Sequence, residues 1–280
     1  MLPPSGPLGA LAHRAVETPE RPFLFFVRGL DWRWLSYKEA VERIGGVAAR
    51  FDRLPAGARN AFPSTAGLSS LLLDLAIRST DRIAVPIGPL YAEAERDPEL
   101  ARLGAEAFAS LPGFAPSRTL PTVEIPDPFI LSGAWPGGEG GVLIEVAGVP
   151  RIVLPDEIAA ASERFNSKRP AREIVLVGPP SRILIERAFA DVAFRTGAAC
   201  LFEPDPSARA ASAAWGRVTM HAGSASELAE LLGRAKRAQR VPLSRARLPF
   251  GRLHTVFCTD GQGLASAAAE AWRALGVAVG

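Results

Sequence analysis

The first part of the chain combines two apolar runs with an amphipathic segment. The runs lie in "PFLFFVRGLDWRWLS", on either side of Arg28 and Gly29, which predicts an antiparallel hairpin. Ser36 then precedes Glu39 at the spacing of a capping box, which satisfies free backbone donors at the start of a helix. Behind it, apolar residues recur at helical spacing, namely Ala40, Val41, Ile44, Val47, Ala48 and Phe51. The pattern therefore predicts a hairpin followed by a helix.

Residues 129–142 change character within one stretch, "FILSGAWPGGEGGV". It begins like an apolar strand and continues into a loop with five glycines, which is typical of a turn whose backbone N–H groups bind phosphate. The only charged residue in the stretch is Glu139, whereas phosphate-binding loops usually carry a lysine. The loop is therefore a phosphate site, a site that has lost its chemistry, or a flexible turn.

Strand and helix patterns alternate from there to Gly280. A second hairpin is predicted around Ala147 and Gly148, and Asp156 is the expected cap of the helix in "DEIAAASERFN". A further helix is expected to end at Gly197. Ser224 and Glu227 predict a second capping box. Apolar strands that alternate with helices indicate a mostly parallel sheet covered by helices.

A proline-rich stretch, "LPGFAPSRTLPTVEIPDP", separates the two halves and is predicted to be a surface linker. We therefore expect a first α/β lobe at residues 1–125, which includes the hairpin and the linker. The second lobe is expected at residues 126–280 and includes the glycine loop.

Composition narrows the class of protein. Of the 280 residues, 48% are hydrophobic, which is ample for a buried core. No apolar run is long enough for a membrane span, and the first residues do not resemble a secretory signal. Cys200 and Cys258 lie in apolar, strand-like stretches, which indicates buried thiols in a reducing compartment and a cytoplasmic protein. The net charge is +3, but the arginines are scattered among acidic residues, so we expect no nucleic-acid partner.

Other reactive residues give little sign of chemistry. His13, His221 and His254 are far apart and have no metal-ligand partner at a recognised spacing, so a structural role and no metal site are expected. Ser132 lacks the G-x-S-x-G turn of a nucleophilic serine, and Cys258 has no evident base. The segment "TDGQG", from Thr259 to Gly263, joins a strand to a helix and suits an anion or an adenine edge, or is a plain turn.

The order of these segments resembles the adenylate-forming ligases, which include acyl-CoA synthetases and peptide-synthetase adenylation domains. These enzymes activate a carboxylate with ATP and then pass the acyl group to a thiol. The resemblance is carried by five segments: "ETPERPFLFFVRGLDWRWLSYKEAVERIGGVAARF", "RIAVPIGPLYAEAE" with Pro86, Pro89 and Tyr91, "FILSGAWPGGEGGV", "IVLVGPPSRILIERAFADVAFRTGAACLFEP" and "LHTVFCTDGQGLASAAAEAWRALGVAVG". It covers nearly the whole chain, but the motifs that carry chemistry match poorly.

The departures fall at the functional motifs of the family. The loop keeps Ser132 and Gly133 but continues with "AWP" where the family has hydroxyl residues, and Glu139 stands about where the family has lysine. In "PPSR", Ser181 or Arg182 stands where many relatives have histidine. The chain ends at Gly280, where the family's Tyr-Gly-x-Thr-Glu motif would begin, and the lysine of the C-terminal lid is absent.

The resemblance implies a fold and a set of site residues. The fold class is α/β, with two lobes of mostly parallel sheet flanked by helices, as in the N-terminal domain of the adenylate-forming ligases, without the β-barrel subdomain and the lid. ATP or AMP is the candidate cofactor, no catalytic residue is assigned, and the candidate cofactor-binding residues are Ser132, Gly133, Gly137, Gly138, Thr259, Asp260, Gly261 and Gln262.

Three functions remain open from the sequence. The favoured one is a degenerate, truncated homologue without adenylating activity of its own, which either binds an acyl-type or adenylate-like small molecule or serves as an accessory subunit to a complete ligase or an acyl carrier protein. The second is an acyl-activating ligase half that a separate polypeptide completes. The third is a protein–protein scaffold without a small ligand, and the chain can also be a piece of a longer protein.

Overall fold

The structure is a computed structural model of the chain. It describes residues 6–28, 31–88, 93–165, 173–205, 208, 209, 212, 218–239, 253–259 and 263–280. The elements described below all lie in these ranges.

Seven strands form the larger sheet: β1 (Pro22–Arg28), β2 (Asp31–Ser36), β9 (Ile174–Val177), β10 (Ala199–Phe202), β11 (Met220–Gly223), β12 (Thr255–Cys258) and β13 (Ala278–Val279). Their spatial order is β13-β12-β11-β9-β10-β1-β2. All neighbours are parallel except β1 and β2, which form the antiparallel hairpin predicted at the start of the chain. The turn residue Gly29 lies outside the described residues.

Six strands form the smaller sheet: β3 (Arg59–Pro63), β4 (Ile83–Ile87), β5 (Ala107–Ser110), β6 (Thr122–Glu124), β7 (Val142–Val146) and β8 (Val149–Val153). Their order is β6-β5-β3-β4-β7-β8, with β7 and β8 as its only antiparallel pair among the described strands. Ala147 and Gly148 turn this hairpin with φ angles of 51° and 78°, as predicted.

Helices flank both sheets. They are α1 (Pro7–Glu17), α2 (Tyr37–Ala48), α3 (Leu68–Arg78), α4 (Glu93–Arg102), α5 (Pro155–Ser162), α6 (Leu184–Thr196), α7 (Ala225–Gln239) and α8 (Ser266–Ala274). Short 3₁₀ turns occur at Ala49–Phe51, Pro128–Ile130 and Glu163–Phe165. The predicted fold class, two mostly parallel sheets flanked by helices, is confirmed. No helix among the described residues is long and apolar enough to cross a membrane.

The two sheets do not divide the chain at residue 125. The N-terminal strand β1 pairs with β10, with Leu24 opposite Cys200, so the first hairpin belongs to the larger sheet. Conversely, β7 pairs with β4, with Ala84 opposite Val142, so the second hairpin belongs to the smaller one. The chain therefore crosses between the sheets twice. A boundary in the proline-rich stretch does not separate them.

Local signals in the sequence were reliable at two of the helix ends. The Ser36 hydroxyl accepts a hydrogen bond from the Glu39 N–H at 3.2 Å, and the Glu39 carboxylate accepts one from the Ser36 N–H at 2.8 Å, so the capping box is confirmed. Gly197 ends α6 with a φ of 79°, also as predicted.

Two local predictions were wrong. Asp156 does not cap α5, because Pro155 takes the first helical position, where its fixed φ and missing N–H cost nothing, and Leu154 becomes the flanking residue. Residues 129–131 do not form a strand. Pro128 starts a 3₁₀ turn there, which the Asp127 carboxylate caps by accepting from the Phe129 N–H at 3.0 Å.

A buried ion-pair cluster joins the helices of the two sheets. Arg78, at the end of α3, donates two hydrogen bonds to Asp191 on α6, at 3.0 and 2.7 Å. Arg187 on α6 reaches back to Asp74 on α3, with an N···O distance of 2.6 Å. All four side chains are at most 5% exposed. Burial lowers the pKa of Arg78, but Asp191 and then Asp74 outweigh it, so its pKa is raised and it stays charged.

We predict that Arg78→Met lowers the free energy of unfolding by about 3–5 kcal/mol, because it leaves the buried Asp191 carboxylate without its counter-charge. The double variant Arg78→Met/Asp191→Leu should be clearly more stable than Arg78→Met, since the Arg187–Asp74 pair remains intact. Urea unfolding followed by circular dichroism measures both. A single variant as stable as the natural chain would contradict the prediction.

Candidate functional site

The glycine loop, defined here as residues 131–141, is bound to α2 at its start. The Gly133 N–H donates to the Glu42 carbonyl at 3.0 Å, and the Arg43 guanidinium donates to the Leu131 carbonyl at 2.8 Å. Contact is close because α2 presents Gly45 and Gly46 to the loop. A Cβ on either would lie 2.5 Å from loop backbone atoms. These glycines let two backbones approach each other.

The second half of the loop is bound to the turn after α3. The Gly138 N–H donates to the Ser79 carbonyl at 2.7 Å, and the Gly140 N–H donates to the Arg78 carbonyl at 2.6 Å. Between them, the Glu139 N–H donates to the Asp81 carboxylate at 2.8 Å. Four N–H groups that a phosphate-binding turn would direct at its ligand are therefore engaged within the chain, counting that of Gly133.

The Glu139 side chain points into the protein and caps α1. Its Oε1 accepts a hydrogen bond from the Gly9 N–H at 2.5 Å, and a Cβ on Gly6 would lie 2.5 Å from the same carboxylate. Helix α1 begins at Pro7. Its N-cap residue is Gly6, which has no side chain that could cap the helix. A carboxylate at a helix N-terminus satisfies free donors and interacts favourably with the helix dipole.

The surroundings of Glu139 include groups that raise the pKa of its carboxyl and groups that lower it. Burial raises the pKa of this carboxyl, while the hydrogen bond from Gly9 and the Arg78 charge oppose that rise, and the net direction is upward. The sequence could not show which way the side chain points. A helix start without a polar cap, at Gly6, was the only signal that a distant residue would fill the position.

The remaining candidate residues of the loop take different positions. Ser132 and Gly137 are exposed, and Gly137 has a φ of 91°, a conformation that favours glycine. Gly138 is buried against Ser79. Trp135 packs partly buried against the main hydrophobic core. Trp135 therefore anchors the loop to the core.

The second candidate segment belongs to different elements. Thr259 is buried at the end of β12, where its N–H donates to the Gly223 carbonyl of β11 at 2.9 Å. Asp260, Gly261 and Gln262 lie outside the described residues. This hydrogen bond connects β11 and β12, whereas those of the glycine loop connect it to α1, α2 and the turn after α3. The assignment of these eight residues to a cofactor stays a prediction.

A cavity lies where open α/β sheets usually bind ligands. The chain runs from β9 to β10 on one side and then to β11 on the other, so the strand order reverses at β9. At the carboxyl ends of β9 and β11, Gly178, Ser181 and Ala222 line a cavity of about 50 Å³ together with Arg187 and Arg209. Such a space holds a few waters, whereas sites for small molecules usually measure roughly 300–1,000 Å³.

Arg182, one of the two residues in place of the family's histidine, is part of a partly buried ion-pair network. Its guanidinium lies 2.7 Å from Glu99 on α4 and 3.2 Å from Glu145 on β7, and Arg102 contacts both carboxylates. Hydrogen bonding from Arg102 lowers the pKa of Glu99 to about 2, with Arg182 adding to the effect against the opposing influence of burial. These contacts fix the segment to the smaller sheet.

The side chains of His221 and Ser224 both contact the first turn of α7 and stabilise the fold there. His221 is buried on β11, and its Nε2 lies 3.1 Å from Glu227 on α7. The Ser224 hydroxyl caps α7 by accepting from the Glu227 N–H at 3.2 Å, but the Glu227 carboxylate turns to His221 and Arg209, so only half of the second capping box forms. Burial alone would raise the pKa of Glu227, but His221 and Arg209 hold it below its usual value.

The described residues hold neither a metal cluster nor an exposed thiol. In the part of the chain that the structure describes, no three His, Cys, Asp or Glu side chains come together as metal ligands. Cys200 and Cys258 are both buried free thiols, as predicted, and burial raises the pKa of Cys200.

Solved structures identify the architecture. The N-terminal domain of FACL13 from Mycobacterium tuberculosis superimposes with a TM-score of 0.74 at 14% identity, over 99% of this chain and 75% of that one. The fold is that of the N-terminal domain of adenylate-forming ligases. O-succinylbenzoate coenzyme A synthetase (MenE) from Bacillus subtilis has a TM-score of 0.70 at 17% identity, over 96% of this chain and 60% of that one.

A peptide synthetase shows the same likeness. The nonribosomal peptide synthetase FmoA3, in an AMPPNP-bound form, superimposes with a TM-score of 0.76 at 18% identity. The match covers 100% of this chain and 31% of the synthetase chain. No protein-family model matches the sequence, and no curated protein matches it either. At these identities the likeness is one of fold. The fold is thus present with a glycine loop whose N–H groups at Gly133, Gly138, Glu139 and Gly140 bind acceptors of the same chain.

We predict that Glu139→Lys lowers the free energy of unfolding by about 1–3 kcal/mol, because it removes the cap of α1 and buries a cation beside free N–H groups. Glu139→Gln, which keeps an acceptor for the Gly9 N–H, is the matched control and should cost less. Urea unfolding measures both variants. Equal stability of the lysine variant and the natural chain would contradict the cap.

We also predict a pH dependence centred on Glu99. Because the pKa of Glu99 is lowered to about 2 in the folded chain, its contribution to stability is present above the unfolded value of about 4.5 and is lost as the pH falls towards 2. The stability difference between the natural chain and Glu99→Gln should therefore shrink between pH 4.5 and 2. Glu106→Gln, at an exposed position, is the control. A difference that stays constant across this window would refute the prediction.

Proposed function

We propose that this chain does not adenylate carboxylic acids on its own and acts as an accessory subunit that contacts a complete ligase or an acyl carrier protein. The observation that supports this most strongly is the engagement of the glycine loop, whose N–H groups at Gly133, Gly138, Glu139 and Gly140 bind acceptors of the same chain. A triphosphate would have to displace these acceptors before it could use the loop.

Charge at the loop adds to this cost. Residue 139 stands about where the family has a lysine that would attract phosphate. At a separation of 4 Å and an effective dielectric constant near 20, two opposite unit charges attract each other by about 4 kcal/mol. The glutamate removes this attraction, since its own carboxylate points into the protein and caps α1.

The cavity at the ends of β9 and β11 does not suit an acyl ligand. Its volume of about 50 Å³ is too small for an acyl chain. Its walls also carry Asp74, Arg187 and Asp191, which belong to the buried ion-pair cluster. An apolar chain that entered would have to separate these pairs without replacing their hydrogen bonds.

An exposed apolar patch offers a surface for the partner. Val146 and Val149 face each other at the tip of the β7–β8 hairpin and are 53% and 64% exposed. The Glu145 N–H donates to the Arg182 carbonyl, which brings Ile183, 47% exposed, towards the same tip. Exposed apolar residues that cluster in this way often mark a contact with another protein.

The first test is ATP–pyrophosphate exchange by the purified chain with a panel of carboxylic acids. We expect no exchange above background, and Glu139→Lys should not restore it, because the loop N–H groups remain bound to their own chain. A complete ligase serves as the positive control. Exchange by the natural chain would overturn the non-adenylating part of the proposal.

The second test addresses the partner. Candidate ligases are assayed by hydroxamate formation with and without the chain, and the expected result is a change in kcat/KM for at least one of them. Val149→Asp and Ile183→Asp should remove this change, while Arg151→Gln, an exposed substitution on the same hairpin, should leave it. A change that survives both aspartate variants would place the contact elsewhere.

A further inference from the structure

The outer strand of the larger sheet presents an open edge. Strand β2 stands at the end of the strand order, and among the described strands it pairs only with β1. Asp31, Trp32, Arg33 and Trp34 are all exposed along it, and the two tryptophans are each 48% exposed. A strand edge with free backbone groups and exposed aromatic residues is a template for pairing with another chain.

The side chains of β2 divide between the two faces of the sheet. Trp32 and Trp34 share one face, because successive strand residues alternate, and Val27 lies opposite Trp32 on β1 and is 49% exposed. Asp31 and Arg33 share the other face, where their side chains are 71% and 62% exposed and 3.3 Å apart. The edge therefore combines an apolar face with a face of two opposite charges.

The order Asp-Trp-Arg is complementary to itself. If a second copy pairs antiparallel to β2 with the two-fold axis at Trp32, then Trp32 faces Trp32 of the other copy. In the same register Asp31 of each copy faces Arg33 of the other, which forms two cross-strand pairs of opposite charge. Edge strands that avoid pairing commonly carry like charges, which would repel a second copy.

The neighbouring registers are unfavourable. Because opposite residues must share a face, a shift of one step moves the axis from Trp32 to Arg33 or to Asp31. With the axis at Arg33, Arg33 would face the Arg33 of the other copy, and Asp31 would face Leu35, which is buried within its own chain. With the axis at Asp31, the Asp31 carboxylates of the two copies would face each other. Charge thus selects one register.

We propose that this protein forms a homodimer by antiparallel pairing of β2 with β2 of a second copy, with Trp32 on the two-fold axis. The two larger sheets then become one continuous sheet. This inference is independent of the proposed function, which concerns the glycine loop and the β7–β8 hairpin of the smaller sheet. The strand overlap is short and resembles the small interfaces of transient complexes, so the dissociation constant should lie in the micromolar range.

Sedimentation equilibrium over a range of micromolar concentrations tests the dimer. The single charge reversals Asp31→Arg and Arg33→Asp each place like charges opposite one another and should raise the dissociation constant at least about tenfold. The double variant Asp31→Arg/Arg33→Asp exchanges the two charges and should return the constant to within about threefold of the natural chain. All these positions are exposed, and circular dichroism checks that each variant is folded.

Glu230→Arg provides the matched control. It reverses one partner of an exposed ion pair on α7, where Arg234 and Glu230 lie 2.7 Å apart, and it should leave the dissociation constant unchanged. A chain that stays monomeric throughout the concentration range overturns the proposal. So does a dimer that the single reversals leave intact, or one that the double variant fails to restore.

Discussion

Arg78 is the residue on which both the fold and the candidate site depend. Its guanidinium donates two hydrogen bonds to Asp191, and this contact joins α3 of the smaller sheet to α6 of the larger sheet. Its carbonyl oxygen accepts the N–H of Gly140, which holds the glycine loop against the end of α3. Because one residue supplies both contacts, the loop is bound to the same end of α3 that makes the contact with α6. The loop is part of the structure that joins the sheets.

The glycines of the loop illustrate why a motif can carry two physical meanings. A glycine allows a backbone to approach a phosphate closely, but it equally allows it to approach another backbone. At Gly138 and Gly140 an added Cβ would collide with carbonyl oxygens of the turn after α3, and at Gly133 with the backbone of α2. The same spacing of glycines thus lets the loop pack closely against α2 and the turn after α3. Sequence alone does not separate these uses, because the acceptors lie far away in the chain.

What the sequence predicts well is local. The capping box at Ser36 and Glu39, the turn at Ala147 and Gly148 and the end of α6 at Gly197 depend on residues within one turn, and all three are confirmed. The assignment of the hairpins to sheets depends on pairing across more than a hundred residues, such as Leu24 with Cys200, and the split at residue 125 misses it. The direction of the Glu139 side chain is a long-range property as well, since its partner Gly9 lies 130 residues away.

The loss of a lysine and the reuse of a loop are different events, and the energetics distinguish them. If only the charge at residue 139 had changed, one substitution would restore attraction for phosphate. Here a phosphate must also displace the acceptors of four N–H groups, at Gly133, Gly138, Glu139 and Gly140. At a net value of about 1 kcal/mol for each bond, that competition weakens phosphate binding by roughly three orders of magnitude. Asp81 accepts one of these bonds while holding a φ of 58°, which is uncommon for a residue other than glycine. The surroundings therefore fix the turn in this conformation, and the barrier to nucleotide chemistry lies in the hydrogen bonding of the backbone as much as in the charge of one side chain.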